Sequence, residues 1–353
     1  MKKILMVCEA FGGGVFAYVT QLCNDMCNNF EVYLAYSIRP QTPRDYKDRL
    51  DKRIHLIEVK NFGHINNIFK DFACIRELKK IQKDIKPDII HLHSSIAGGI
   101  GRLAFTPKDC VILYTPHGYA HILLGNGKKS QFYGKIEKWL GKKNCITLTC
   151  CKSEDEVAQT LTKKTYYIET GINIAKLTND LNNVKENRQH EKFTVFTLGR
   201  ACEQKQPVLF NKIAELVPEA DFLWVGGGEL ENQLTAKNIT VTGWLDRNRA
   251  LSIAKTADVF ILCSLGEAIA MSLIENMFLK KLCLVSNVMG NKSVINNGIN
   301  GYICQTPEDY AFRIKQAMAD YPNSLVENAF QDVKDIYNTE TMKKKFINYY
   351  NSL

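Results

Sequence analysis

Two glutamates eight positions apart, Glu267 and Glu275 in "SLGEAIAMSLIEN", follow the apolar run "DVFILCS". A carboxylate at a strand's exit and a second just inside the next helix can hold something rich in hydroxyls. The spacing also has a plainer use. Ser272 to Glu275 fits the S-x-x-E capping box, in which Glu275 would bond backbone N–H at the start of a helix. That use leaves Glu267 without a task. A second set, "TLGRACEQKQP", releases Arg200 and Lys205 from the end of another strand just after Gly199. A forked guanidinium and a point-charge ammonium suit a diphosphate; a solvated turn is the alternative. "WVGGGELENQL" and "TGWLDR" place Gly226, Gly227, Gly228 and Gly243 at two more strand ends.

The first half offers a glycine turn and three histidines. "CEAFGGGVFAYV" sets Gly12, Gly13 and Gly14 between a strand and a helix, where backbone N–H groups can approach a phosphate or sugar oxygen. The pattern is not G-x-G-x-x-G, and no acidic residue ends the next strand, so an NAD site is not expected. "DIIHLHS" and "YTPHGYA" put His91, His93 and His117 at strand ends. His91 reads as a core residue, whereas His117, in a Pro-His-Gly turn, has less to pack against.

Strands must deliver these residues to a common edge. Thirteen apolar, β-branched runs alternate with helical patterns, from "KILMVCE" and "EVYLAYS" to "LCLVSNV" and "GYICQ". That alternation predicts parallel sheets covered on both faces. Two doubly wound, Rossmann-like α/β domains are expected, with ligands in the cleft between them. We expect a first domain over 1–175, a linker over 176–192 in "KLTNDLNNVKENRQHEK", a second domain over 193–335, and a C-terminal helix over 336–353 that packs back on the first.

Length favours two cores for 353 residues. The net charge of +9 is uneven: residues 1–170 hold 26 Lys and Arg against 17 Asp and Glu, and the remainder balances. An anionic partner for the first half follows, such as a membrane surface or a phosphorylated lipid. No apolar run approaches the roughly 20 residues of a membrane span, and the start does not read as a signal peptide. The twelve cysteines, without C-x-x-C, then belong in a reducing cytoplasm as small core hydrophobes. "KKSQFYGKIEKWLGKK" reads as a basic amphipathic helix, with Phe132, Ile136, Trp139 and Leu140 on one face and Lys135, Lys138 and Lys142 opposite. Ordinary packing and membrane-surface contact both fit it.

Taken in order, these motifs resemble the retaining glycosyltransferases of family 4, of the GT-B group that builds capsule, O-antigen and exopolysaccharide. The family's E-G-F-G-L-P-x-x-E is similar to Glu267 through Glu275, its G-R-x-x-x-x-K to Gly199 through Lys205, and its G-x-x-G to "NNGINGYI". Here Ala268 and Ala270 stand for glycines and Ser272 for proline, so two methyl groups narrow the loop. The resemblance implies that Glu275 holds the nucleotide ribose and Glu267 a donor-sugar hydroxyl. Arg200 and Lys205 would neutralise the diphosphate with the backbone N–H groups of Ala268, Ile269, Ala270 and Met271. His117 would contact the donor sugar, and Gly13 and Gly14 would let the first domain close over the phosphates. It further implies a nucleotide-sugar co-substrate, no bound cofactor, and no metal, in keeping with the lack of a D-x-D motif.

The expected protein is thus a cytoplasmic transferase, peripheral at the inner membrane face, acting on a polyprenyl-diphosphate-linked or oligosaccharide acceptor. Lys135, Lys138, Trp139 and Lys142 would face membrane and acceptor. A nucleotide-sugar 2-epimerase on the same fold and a catalytically silent nucleotide-sugar-binding subunit are the alternatives. Nucleic acid is not an expected partner, because the basic residues form no recognised module.

Overall fold

The computed structural model describes residues 1–62, 68–108, 110–123, 127–184 and 192–353. The chain forms two compact units, one of Met1–Glu169 with Met342–Leu353 and one of Thr170–Thr341.

The first unit holds a seven-stranded parallel sheet of β1 (Lys3–Cys8), β2 (Glu31–Tyr36), β3 (His55–Glu58), β4 (Ile89–His93), β5 (Val111–Thr115), β6 (Ile146–Thr149) and β7 (Thr165–Tyr167), in the order β3-β2-β1-β4-β5-β6-β7. Its central strands are apolar along their whole length because helices cover both faces: Ile4 to Cys8 and Ile89 to Leu92 are buried. The returning C-terminal residues join this core, where Met342, Phe346 and Tyr350 pack with Phe30 and Leu34. His91 is a core histidine, as its run suggests. Its ring nitrogens meet Tyr350 Oη at 2.7 Å and Thr115 Oγ1 at 2.8 Å, and burial pushes its pKa down to about 3.

The second unit repeats the plan with β8 (Thr194–Leu198), β9 (Asp221–Val225), β10 (Ile239–Val241), β11 (Val259–Leu262), β12 (Leu282–Ser286) and β13 (Tyr302–Cys304), ordered β10-β9-β8-β11-β12-β13. Both sheets therefore reverse strand order between their first and fourth strands, the switch point at which doubly wound folds bind ligands.

Two expectations about helices change. Within the expected linker, Ile174–Asn182 form a helix that Asn173 caps by accepting from Lys176 N–H at 2.9 Å, and Leu177 buries against the second core. Residues 185–191 lie outside the described residues. The helix Lys128–Leu140 is also rotated from its expected face, burying Glu137 and Leu140 while Phe132 and Trp139 stand 62% and 52% exposed. The cause is an ion pair. Arg102 Nη2 meets Glu137 Oε2 at 2.7 Å, Tyr114 Oη donates to Oε1 at 2.9 Å, and the guanidinium lies 4.2 Å over the Tyr114 ring. Turning Glu137 inward carries the aromatics outward.

Ten of the twelve cysteines are buried, which fits their reading as core residues. No helix among the described residues is long and apolar enough to cross a membrane.

Candidate active site

Each unit gathers polar residues at its own switch point. In the second, the chain leaves β8 through Gly199 and Arg200 and makes a short turn, Glu203–Lys205, before the helix Pro207–Leu216. Two glutamines tie that turn to the loop after β11. Gln204 Nε2 donates to Gly266 O, and Gln206 Nε2 to Cys263 O, both at 2.7 Å. Held in this way, Lys205 Nζ donates to Glu267 Oε1 at 2.5 Å, and Ser264 Oγ donates to the same oxygen at 2.6 Å. Ser264 is itself fixed, its carbonyl accepting from Ser286 Oγ. Glu267 is 9% exposed, and its Oε2 takes no hydrogen bond among the described residues. A buried carboxylate beside a cation, with an oxygen to spare, can accept a hydroxyl. The ammonium next to it can turn to an anion.

Arg200 stands apart from this pair. Its Nε bonds Glu229 Oε2 at 3.0 Å, and both side chains are mostly exposed. Gly199 has φ 146°, and a side chain at Gly226 (φ 136°) would place its Cβ 2.1 Å from Gly199 O, so close backbone packing fixes the glycine there. Gly227 is buried within this turn, its carbonyl accepting from Ala201 N–H at 3.1 Å, and Gly243 pairs with Gly226 in an isolated bridge.

The capping box is not formed. Ala270 occupies the N-cap of helix Met271–Phe278 without a side-chain bond, because Leu273, Ile274 and Met277 must face the core and set the helix phase. Ser272 thus falls inside the first turn. Glu275 Oε1 instead accepts from Arg247 Nη2 at 2.9 Å, and Arg247 Nε donates to Asp180 Oδ2 at 2.9 Å. The alanines also differ in effect. Ala270 is buried in the core cluster, so its methyl does not narrow the loop, while Ala268 and Ile269 are half-buried. Gly290 N–H donates to Glu267 O at 3.1 Å, and a Cβ there would come within 2.0 Å of Ala268 O. The peptide after Glu267 is therefore closely held.

In the first unit the exits of β1 and β4 bring Glu9 and Ser94 together. Glu9, 2% exposed, forms an ion pair with Arg39, and Ser94 Oγ donates to Glu9 Oε2 at 3.1 Å. Ser94 has φ 93° and caps the helix Ser95–Ala104. His93 Nδ1 lies 3.1 Å from His117 Nε2, and His117 Nδ1 lies 3.5 Å from Cys150 Sγ. Both histidines are held neutral by burial, His117 with a pKa pushed down to about 3. His117 has φ 54°, so two non-glycine residues at the sparsely populated positive φ flank one edge, as at many functional sites. Buried Glu154 fixes the turn, accepting from Gly118 N–H at 2.7 Å and Cys150 N–H at 2.9 Å. His93 Nε2 is buried without a hydrogen-bond partner among the described residues. Gly13 takes φ 55°, and the Cα atoms of Gly13 and Gly14 face open space.

Sequence reasoning passed over Glu9, Arg39, Ser94, Gln204, Gln206, Ser264 and Arg247. A lone acid ending the otherwise apolar run "KILMVCE" could have pointed to Glu9, and two glutamines flanking Lys205 to the clamp. The four residues expected at a membrane or acceptor, Lys135, Lys138, Trp139 and Lys142, are all exposed on the helix Lys128–Leu140 or just after it.

Comparisons with known proteins agree along the chain. Residues 12–176 match the family described as Glycosyltransferase Family 4, and residues 179–332 match Glycosyl transferases group 1. An Escherichia coli protein named UDP-Gal:alpha-D-GlcNAc-diphosphoundecaprenol alpha-1,3-galactosyltransferase is 28% identical over 331 residues, covering 82% of this chain and 83% of that protein. Among solved structures, sucrose-phosphate synthase from Thermosynechococcus elongatus superposes with a TM-score of 0.81 at 16% identity, covering 100% and 99% of the two chains. Anabaena Alr3699/HepE in complex with UDP and glucose gives a TM-score of 0.79 at 15% identity, covering 100% of both.

Proposed function

This chain belongs to the glycosyltransferases of family 4, nucleotide-sugar-dependent transferases of the GT-B fold, and we propose that it is a retaining enzyme moving a sugar from a UDP-sugar to a polyprenyl-diphosphate-linked glycan. The observation that carries the reading is Lys205 and Ser264 converging on one oxygen of buried Glu267 at the switch point of the second sheet. The uridine nucleotide and the lipid diphosphate acceptor are supported by the name of the Escherichia coli relative, and UDP by the ligand of HepE.

Breaking the anomeric C–O bond leaves charge on the departing diphosphate. A fixed cation there is stabilising in the transition state without reorganisation. Lys205 is that cation: it exchanges Glu267 for the diphosphate, and Glu267 accepts a hydroxyl of the donor sugar. Arg200 leaves its exposed pair with Glu229 to bind the same phosphates. Glu275 holds the ribose, positioned by Arg247. Retention then follows from attack on the face the leaving phosphate vacates, that phosphate taking the acceptor's proton. The first unit offers His117 to a sugar and the open turn at Gly13 and Gly14 to a phosphate, and its exposed Lys135, Lys138, Trp139 and Lys142 meet the membrane that holds the acceptor.

A thermal-shift panel of UDP, GDP and dTDP sugars tests the reading. It expects a UDP-sugar to raise the unfolding temperature and to be consumed once a lipid-diphosphate sugar is added. Stabilisation without turnover would restore the silent-subunit alternative, and no response to any nucleotide sugar would end the proposal.

A further inference from the structure

We propose that the first unit carries a binding site for the phosphate of an anionic phospholipid headgroup, in a lysine-lined groove at the sheet edge opposite Glu9 and His117. The groove has a volume of about 650 Å³ and is lined by Lys138, Lys142, Lys143, Lys163 and Lys164, with Asn144 between them. The inference takes its purpose from the membrane-bound acceptor proposed above, but its chemistry stands on the groove alone.

Position separates the groove from the catalytic machinery. Residues 141–145 lead into β6 and residues 162–164 into β7, so both segments lie at the edge where the parallel strands begin. Glu9, Ser94 and His117 lie where their strands end. At about 3.3 Å per residue, a strand of four residues puts the two edges on the order of 13 Å apart. The groove is therefore a second site and not an extension of the first.

Charge specifies the ligand. No carboxylate lines the groove, and none of its five lysines is paired with one among the described residues; Lys164 Nζ donates to Asn144 Oδ1 at 3.0 Å. Five exposed ammonium groups around one concavity repel one another until an anion enters. Ammonium groups on flexible stems act as point charges and suit a phosphate approached from varied directions. The surroundings favour a lipid as the phosphate's source. Lys143 Nζ sits 5.5 Å over the ring of Trp139, and Trp139 and Phe132, seven residues apart on the helix Lys128–Leu140, share one outward face. Exposed aromatics beside lysines are the pairing found at the headgroup level of a bilayer.

Vesicle flotation of the full chain tests this, using phosphatidylcholine vesicles with and without phosphatidylglycerol and no nucleotide sugar. The variant Lys143→Ala/Lys163→Ala/Lys164→Ala changes residues that lie only in the groove. It should weaken binding to the phosphatidylglycerol vesicles on the order of a hundred-fold, while its unfolding temperature and UDP-sugar binding match the parent. A control of equal charge in the second unit, Lys212→Ala/Lys237→Ala/Lys315→Ala, should bind nearly as the parent does. Parent-like flotation of the groove variant would overturn the proposal, as would an equal loss in the control, which would reduce the effect to net charge. Binding of the parent to single-stranded RNA but not to the vesicles would overturn it in favour of a nucleic-acid groove. Because flotation uses no donor, a parent that floats but binds no UDP-sugar would sink the transferase reading and leave the groove standing.

Discussion

Lys205 Nζ and Glu267 Oε1 lie 2.5 Å apart although 62 positions separate them in the chain, and the two side chains are only 20% and 11% exposed. Each arrives from a loop that leaves one of the two strands at the switch point, β8 and β11. In the proposed mechanism the pair presents a cation for a leaving phosphate and a carboxylate for a sugar hydroxyl in one place; in the structure each compensates the other's charge.

Removing the cation should therefore harm chemistry more than folding. Lys205→Met is expected to lower kcat by roughly 10²–10³, the usual loss for one preorganised charge at a developing anion. It should also cost stability, because Glu267 stays buried and unpaired. Adding Glu267→Gln to Lys205→Met should recover part of that stability and none of the activity. Urea unfolding curves and steady-state rates on the four proteins of the cycle check this.

Glu275 and Arg247 separate binding from stability. Arg247 is about half exposed, and its ion pair to Glu275 belongs to the class worth about 0–1 kcal/mol. Glu275→Ala should leave the unfolding free energy nearly unchanged and raise the KM for donor at least tenfold. Arg247→Ala should raise it less. Stability lost without any change in donor KM would mean that the glutamate only braces its helix.

Acid should unfold the first unit through its histidines. His91 and His117 have folded pKa values near 3 against 6.5 when exposed, and burial lowers His93 as well. The unfolded chain therefore binds protons that the folded chain refuses. Stability is fully present above pH 6.5 and declines as pH falls from there toward 3. Glu154, raised by burial, facing the same turn, opposes the trend at its acidic end. His117→Asn should flatten the slope of unfolding temperature against pH between 6.5 and 4. An unchanged slope would show that His117 does not contribute to it.

The inward ion pair of Arg102 and Glu137 supports the helix whose aromatics face outward. Glu137→Ala leaves a guanidinium buried without its partner, a change expected to cost about 3–5 kcal/mol. Denaturant titration measures it directly. Replacing exposed Phe132 by Ser should cost little, because its ring stands outside the core.

The central strands were legible because each is a short apolar run with no polar face, and all thirteen strands form where apolar, β-branched runs occur. The two glutamates and Lys205 were legible through their spacing, yet their pairing was not, since nothing local joins residues on different strands. The same limit hid the phase of the helix Lys128–Leu140. Its apolar residues favour one face, and a guanidinium 35 residues earlier selects another. The capping box misled because S-x-x-E is a four-residue pattern, while burial of Leu273, Ile274 and Met277 is the larger effect and starts the helix two residues sooner. Glu9, Arg39 and Ser94 escaped notice because a single acid, base and hydroxyl on separate segments carry no motif at all.

The most direct measurement is the anomeric configuration of the product. The enzyme, a UDP-hexose and a lipid-diphosphate sugar acceptor are combined, and the new linkage is read by NMR coupling constants. The account predicts a disaccharide that keeps the donor's α configuration, formed by the parent and lost in Lys205→Met. An inverted β linkage, or a parent rate unchanged by that substitution, would contradict it.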